Sequence, residues 1–273
     1  MIDVQSQFDN RNIPINKVGV KNLRYPIVVM DRAQKEQHTI ANVNMYVDLP
    51  HNFKGTHMSR FIEILNEHRG MVSIKSVRDI LHEMKHRLHA ETAHLEITFP
   101  YFIEKEAPIT KSPGLMEYEA TFQVSSDGIE DFILGVKVPI TTLCPCSKSM
   151  SEKGAHNQRT IVNVNLRFNR FIWIEEVIEL VEQSGSSPLF SMLKREDEKF
   201  VTDLAYDNPK FVEDVVRSVA EKLNDHPGIL WYSIEVESLE SIHNHNAYAV
   251  VEKKKLEGIK SSLEEQQVLY SHV

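Results

Sequence analysis

Both cysteines of the chain, Cys144 and Cys146, stand in one polar stretch, TTLCPCSKSMSEKGAHNQRT at 141–160, with Pro145 between them. His156 follows twelve residues after Cys144. A thiolate and an imidazole together suit a borderline-soft divalent metal. Pro145 fixes the local backbone, so the two sulfurs are expected to point different ways, one to metal and the other to substrate. A pair of buried structural cysteines with a surface histidine is the competing reading. Free cysteine is usually buried among apolar residues, and the Gly/Ser-rich setting here weakens that alternative. A disulfide scaffold is excluded by the cysteine count, and a bridge between i and i+2 would be strained.

Four further places carry candidate chemistry. Lys194-Arg195-Glu196-Asp197-Glu198-Lys199 reads, taken alone, as a solvated charged turn. Glu213 adjoins apolar helix positions. It is either an ordinary surface glutamate or a partly buried carboxylate, and a buried one needs hydrogen-bond donors. Glu240-Ser-Ile-His243-Asn-His245-Asn-Ala247 lies between two strand-like runs; residues two apart on a strand share a face, so His243 and His245 could line one pocket. With 13 histidines in the chain, such a pair is only moderately specific. Gly55-Thr56-His57-Met58-Ser59-Arg60 opens a helix whose N-terminus could hold phosphate; plain capping by Ser59 explains the serine but not Arg60.

These residues need elements to position them. Tyr25–Met30 is a strand-like apolar run, and Ile40–Leu49 alternates through Val43, Met45, Val47 and Leu49 until Pro50. Helices are predicted from near Ser59 and over Ser76–His89, the second with Val77, Ile80, Leu81, Met84 and Leu88 at helical spacing. Strands over Ala93–Ile103 and Leu115–Val124 follow. The second half is predicted to hold strands at Phe132–Val138 and Ile161–Phe168, a helix at Trp173–Val181, and a Gly/Ser break at Ser184–Ser187. A helix starting near Asn208-Pro209 comes next, then strands at Leu230–Val236 and Ala247–Val251. The order strand-strand-helix-helix-strand-strand thus occurs twice. The expected class is α+β: two fused units, each an antiparallel sheet with helices on one face. We divide the chain into an N-terminal arm (1–19), a first unit (20–110), a second unit with most candidate motifs (111–253), and a charged tail (254–273) of helical character.

Composition limits the function. With 31 basic and 39 acidic residues the net charge is −8, against non-specific binding to nucleic acid or anionic lipid. No apolar run approaches the ~20 residues of a membrane span. MIDVQSQFDN lacks a charged-then-apolar signal, so a cytoplasmic location is expected. There is no P-loop and no Gly-x-Gly-x-x-Gly, which sets aside the usual nucleotide hydrolysis and dinucleotide chemistry; zincin proteolysis is set aside as well.

LCPCSK, GAHNQR, LKREDEK, NPKFVEDVVR and ESIHNHNA, in this order, together with GTHMSRF in the first half, resemble the type IB GTP cyclohydrolase I family. The resemblance runs from about Val20 to Val251. It implies the tunnelling fold with two units in one subunit, a homotetramer, and conversion of GTP and water to 7,8-dihydroneopterin triphosphate and formate. That reaction opens folate synthesis and in some organisms feeds tRNA deazaguanine modification. The implied metal is divalent, zinc or manganese. By resemblance, Cys144, His156 and Glu198 are metal ligands, with Glu240 the fourth and His243 its competitor; this replaces the charged-turn reading of Glu198. Cys146 is similar to the family's essential cysteine, which faces the substrate. Glu213 is similar to the carboxylate that anchors the guanine edge. Cys146, with His243 or His245, would move protons, and Lys148, Arg60 and Arg159 would neutralise the triphosphate. Two other classes compete. A tunnelling-fold nitrile reductase would need NADPH and no metal. A non-catalytic nucleotide- or metal-binding module would have no use for both cysteines, His156 and Glu198.

Overall fold

The computed structural model describes residues 4–68, 70 and 72–255; residues 256–273 of the charged tail lie outside them. The elements are β1 (Ile15–Asp31), β2 (Lys35–Leu49), α1 (Met58–Glu67), α2 (Ile74–Leu88), β3 (Thr92–Glu106), β4 (Pro113–Asp127), β5 (Ile129–Leu143), α3 (Pro145–Met150), β6 (Asn157–Phe168), α4 (Ile174–Glu182), β7 (Ser187–Pro188), α5 (Arg195–Asp207), α6 (Val212–Asp225), β8 (Ile229–Ser238) and β9 (Ala247–Lys254). Strands hydrogen-bond in the order β1-β2-β3-β4-β5-β6-β8-β9, with β7 on β5. The chain forms two compact units. One holds the described residues up to Pro100 and Thr121–Leu134; the other holds Tyr101–Ala120 and Gly135 onward.

In the first unit the period-two pattern becomes a buried face. Ala41, Val43, Met45 and Val47 on β2 and Ala93, Leu95 and Ile97 on β3 are almost fully buried. The apolar stripes of α1 (Phe61, Ile64, Leu65) and α2 (Val77, Ile80, Leu81, Met84) are buried as well. Helix α2 starts at a Ser73–Ser76 capping box and ends at His89 in the left-handed region. Strand β1 begins at Ile15, inside the stretch read as an arm. Phe8 bridges Phe53, and Val18, Gly19 and Val20 pair with Val47, Tyr46 and Met45. Gly19 is needed there because a Cβ would lie 1.9 Å from the Met45 carbonyl oxygen.

In the second unit α6 buries Val212, Val215, Val216, Val219 and Leu223, each worth roughly 1.5–3 kcal/mol when fully buried. Helix α6 starts at Val212, four residues after Asn208. Asn208 instead ends α5, and Pro209 stands in the connection. The Gly/Ser break after α4 is not a loose linker. Ser184, Ser186 and Ser187 are buried. The Ser186 amide donates to Thr141 O at 2.9 Å, and Ser186 Oγ accepts from the Leu143 amide at 3.1 Å. Small side chains let this segment pack tightly on β5; a Cβ on Gly185 would lie 2.9 Å from Ile140. The charged stretch 194–199 is the start of α5, not a turn.

Candidate active site

A cavity of about 240 Å³ in the second unit is lined by Thr142, Cys144, Gln158, Glu213, Ser238 and Glu240, among others. Three backbone ties bring these residues together. The Cys144 amide donates to His156 O at 3.1 Å, the Lys210 amide to Leu143 O at 3.0 Å, and the Leu239 amide to Arg159 O at 2.9 Å. The first closes the 151–156 loop, where Gly154 at φ +137° takes a backbone conformation that side chains disfavour. The second fixes the start of α6, and with it Glu213, beside the cysteines. The third holds Glu240 alongside Gln158.

The cysteine motif is a short helix rather than a loop. Pro145 occupies its first position and Cys144 is its N-cap. Cys144 Sγ accepts from the Ser147 amide at 3.4 Å, and Ser147 Oγ accepts from the His156 amide at 3.3 Å. Cys144 is half-buried and Cys146 exposed.

His156 and Glu240 are largely enclosed, with side chains 13% and 12% exposed and a closest approach of 4.0 Å. His156 Nδ1 meets Gln158 Oε1 at 2.9 Å, and Gln158 Nε2 donates to Thr142 Oγ1 at 3.2 Å and Glu240 Oε1 at 3.4 Å. Beneath them Thr142, Thr160 and Ser238 exchange hydroxyl hydrogen bonds of 2.7–3.4 Å. A thiol, an imidazole and a carboxylate fit a divalent cation of the zinc type. With Nδ1 engaged by Gln158, Nε2 is the ring nitrogen that could take a cation. Among the described residues, no three His, Cys, Asp or Glu side chains already converge as a complete ligand cluster.

The other expected residues are placed as follows. Glu198 is exposed on the first turn of α5. Its neighbour Asp197 is fully buried and accepts from Ile109 N, Thr110 N, Thr110 Oγ1 and Lys194 N at 2.6–3.0 Å. Burial alone would raise the Asp197 carboxyl, but the bonds from Thr110, Lys194 and Ile109 hold it well below the ordinary carboxylate range. Glu213 is exposed at the second residue of α6, so the partly buried alternative is corrected. His243 and His245 are exposed and stacked, ring centroids 5.1 Å apart. Lys148 donates to Tyr206 O and lies over that ring at 4.4 Å. Arg159 is exposed on β6. Arg60, in the first unit, donates to Arg87 O at 2.9 Å and so closes the C-terminus of α2.

One exclusion needs correction. A His-Glu-x-x-His pattern is present, at His82-Glu83-Met84-Lys85-His86 on α2. Its glutamate is bound to His68 at 2.8 Å and to Arg87 at 3.2 Å, and no third ligand joins the histidines among the described residues. The zincin arrangement is therefore not formed. Gln158, which sequence reasoning passed over, links two of the expected ligands, His156 and Glu240.

A family model described as "Type I GTP cyclohydrolase folE2" matches residues 1–249. Among curated proteins, "GTP cyclohydrolase FolE2" of Syntrophotalea carbinolica is 58% identical over 252 residues, covering 92% of this chain and 95% of its own. The protein of the same name from Geotalea uraniireducens is 58% identical over 257 residues, covering 94% and 95%. Among solved structures, a uricase from Bacillus fastidious superposes with TM-score 0.52 at 8% identity, covering 88% of this chain and 92% of that one. Urate oxidase from Bacillus sp. TB-90 gives 0.53 at 8%, covering 88% and 100%. These are tunnelling-fold proteins, and the fold of this chain is the tunnelling fold.

Proposed function

The chain belongs to the type I GTP cyclohydrolase family folE2, and on that premise we propose that the cavity beside Cys144 and His156 is its catalytic site. The protein is a GTP cyclohydrolase that converts GTP and water to 7,8-dihydroneopterin triphosphate and formate, the opening step of folate synthesis. What supports the placement is that Cys144, Gln158, Glu213 and Glu240 line one cavity.

Cys144, His156, Glu198 and Glu240 are the residues proposed to hold a divalent cation, zinc or manganese, with His243 the alternative to Glu240. Such a cation supplies Lewis acidity that makes water a nucleophile near neutral pH. The reacting atom is C8 of guanine, an electron-poor carbon between two nitrogens. Addition of water there opens the imidazole ring to a formamide, a second hydration expels formate, and the freed amine then closes onto the rearranged ribose-derived carbons with loss of one water, so that one water is consumed net. Every step needs a proton delivered to a ring nitrogen or leaving amine. Cys146, exposed on α3, and His243 and His245, stacked in the loop after β8, are proposed to move those protons. Glu213, which lines the cavity, would accept from guanine N1–H and the 2-amino group. Lys148 and Arg159 are the cations proposed for the triphosphate, which the net charge of −8 does not by itself attract.

We further infer a cytoplasmic homotetramer. The support is that β1 and β9 end the strand order; open edges of this kind are closed by pairing with other copies or need protection. No helix among the described residues is long and apolar enough to cross a membrane. The deciding experiment is incubation of zinc- or manganese-loaded protein with GTP. Neopterin fluorescence after oxidation and formate release are read together. Equal amounts of both are expected; GTP consumption without formate would overturn the reading.

A further inference from the structure

Gln158 is the second residue of β6, and its amide touches three other elements of the site. Its oxygen meets His156 Nδ1 at 2.9 Å, while its nitrogen reaches Thr142 Oγ1 at 3.2 Å and Glu240 Oε1 at 3.4 Å. An amide can be turned over, and only its partners decide which way it lies. Here the Glu240 carboxylate decides. An ionised carboxylate only accepts, so the NH₂ must face it and the carbonyl must face His156.

A carbonyl oxygen also only accepts. His156 Nδ1 must therefore carry the proton, and the Nε2 lone pair is left open. Glu240 Oε2, an acceptor 4.0 Å from Nδ1, favours the same state, and Ser241 Oγ at 3.5 Å can accept or donate and fits either tautomer. A free neutral imidazole prefers its proton on Nε2, the opposite arrangement. Metal-binding histidines characteristically donate their second N–H to a carbonyl or carboxylate, which fixes both tautomer and ring orientation.

We propose that Gln158 is a positioning residue that locks His156 in the Nδ1–H tautomer and holds His156 and Glu240 in one frame before a cation arrives. Gln158 is assigned no contact with substrate and transfers no proton. The proposal rests on the reading of His156 as a ligand in the preceding section. It adds what makes that histidine competent: a neutral amide whose two ends are oriented by a carboxylate.

The test begins with the full-length metal-free protein labelled with ¹⁵N-histidine, at a pH where the rings are neutral. Long-range ¹H–¹⁵N correlation spectra report each tautomer, and His156 is identified by its loss in His156→Ala. The parent should show Nδ1–H at His156. Gln158→Met keeps the length and removes both hydrogen bonds; it should shift His156 toward Nε2–H and weaken zinc binding about 10- to 100-fold in a chelator competition. Gln158→Glu still offers His156 an acceptor and should keep Nδ1–H, although it faces Glu240 with a like charge. An Nε2–H tautomer in the parent overturns the proposal without any substitution. So does a Met variant that retains Nδ1–H or binds zinc as tightly as the parent. The ligand reading fails separately: it is refuted if His156→Ala binds zinc like the parent, whatever the tautomer.

Discussion

The amide of Cys144 donates to the carbonyl oxygen of His156 at 3.1 Å, so these two residues are joined by backbone and not by their side chains. Substituting either side chain leaves this bond in place. The backbone closure of the loop thus needs neither side chain, whereas a variant at Cys144 also removes the acceptor of the Ser147 amide at the start of α3.

Cys144→Ala, His156→Ala and Glu198→Ala should each lower bound divalent metal, because removing one of three or four ligands weakens a site severely. Elemental analysis after purification in excess zinc or manganese measures it. Full occupancy in all three variants would reject the ligand set.

The two cysteines should separate. Cys146 is exposed and Cys144 half-buried under its contact with Ser147, so brief iodoacetamide treatment of the metal-loaded enzyme should modify Cys146 first, read by peptide mass mapping. Cys146→Ser should keep its metal and lose turnover, since a serine hydroxyl is a poor proton shuttle near neutral pH. Cys144→Ser should lose metal, and activity with it. The reverse pattern would mean that the sulfur roles are exchanged.

Glu213→Gln should cut kcat/KM for GTP by about 10- to 100-fold, the equivalent of about 1.5–3 kcal/mol for hydrogen bonds to a charged group. Its metal content should stay at the parental level because Glu213 is not among the proposed ligands. Steady-state kinetics with GTP, paired with elemental analysis, checks both halves.

Acid should loosen the start of α5 through Asp197. Its carboxyl is depressed in the folded protein. The stabilisation is therefore complete above the unfolded carboxylate value near 4 and is lost as pH falls below it. Asp197→Asn should lower the melting temperature at pH 7 and flatten its fall between about pH 5 and pH 2. A parallel fall in parent and variant would show that Asp197 carries no pH-linked stability.

Leu223→Ala on α6 should cost about 2–5 kcal/mol in denaturant unfolding, as for other buried leucines reduced to alanine. Leu223 is 1% exposed. If the loss is under 1 kcal/mol, the α6 core has room to collapse that its burial does not suggest.

Much of this architecture was legible because burial writes a period into the chain. Val43, Met45 and Val47 announced β2, and Val77, Ile80, Leu81, Met84 and Leu88 announced α2. Helix α5 was hidden because only Asp197 and Ala205 on it are buried. Its visible signal was Glu196, Asp197 and Glu198 together, which suits the positive end of a helix. Glu213 has apolar neighbours in sequence, yet a helix turns about 100° per residue, so Val212 faces inward while Glu213 faces out. Gln158 left no trace at all. An amide carries no charge, and Glu240, the partner that orients it, is 82 residues away.

Cys144 also has a second occupation, as the cap of the six-residue α3. If the cation proposed for this site also takes that sulfur, the order of the turn would follow the filling of the site. Amide hydrogen exchange at Ser147 thus becomes an optical-free gauge of occupancy. Its protection should rise and fall with metal content even in protein that has never met GTP.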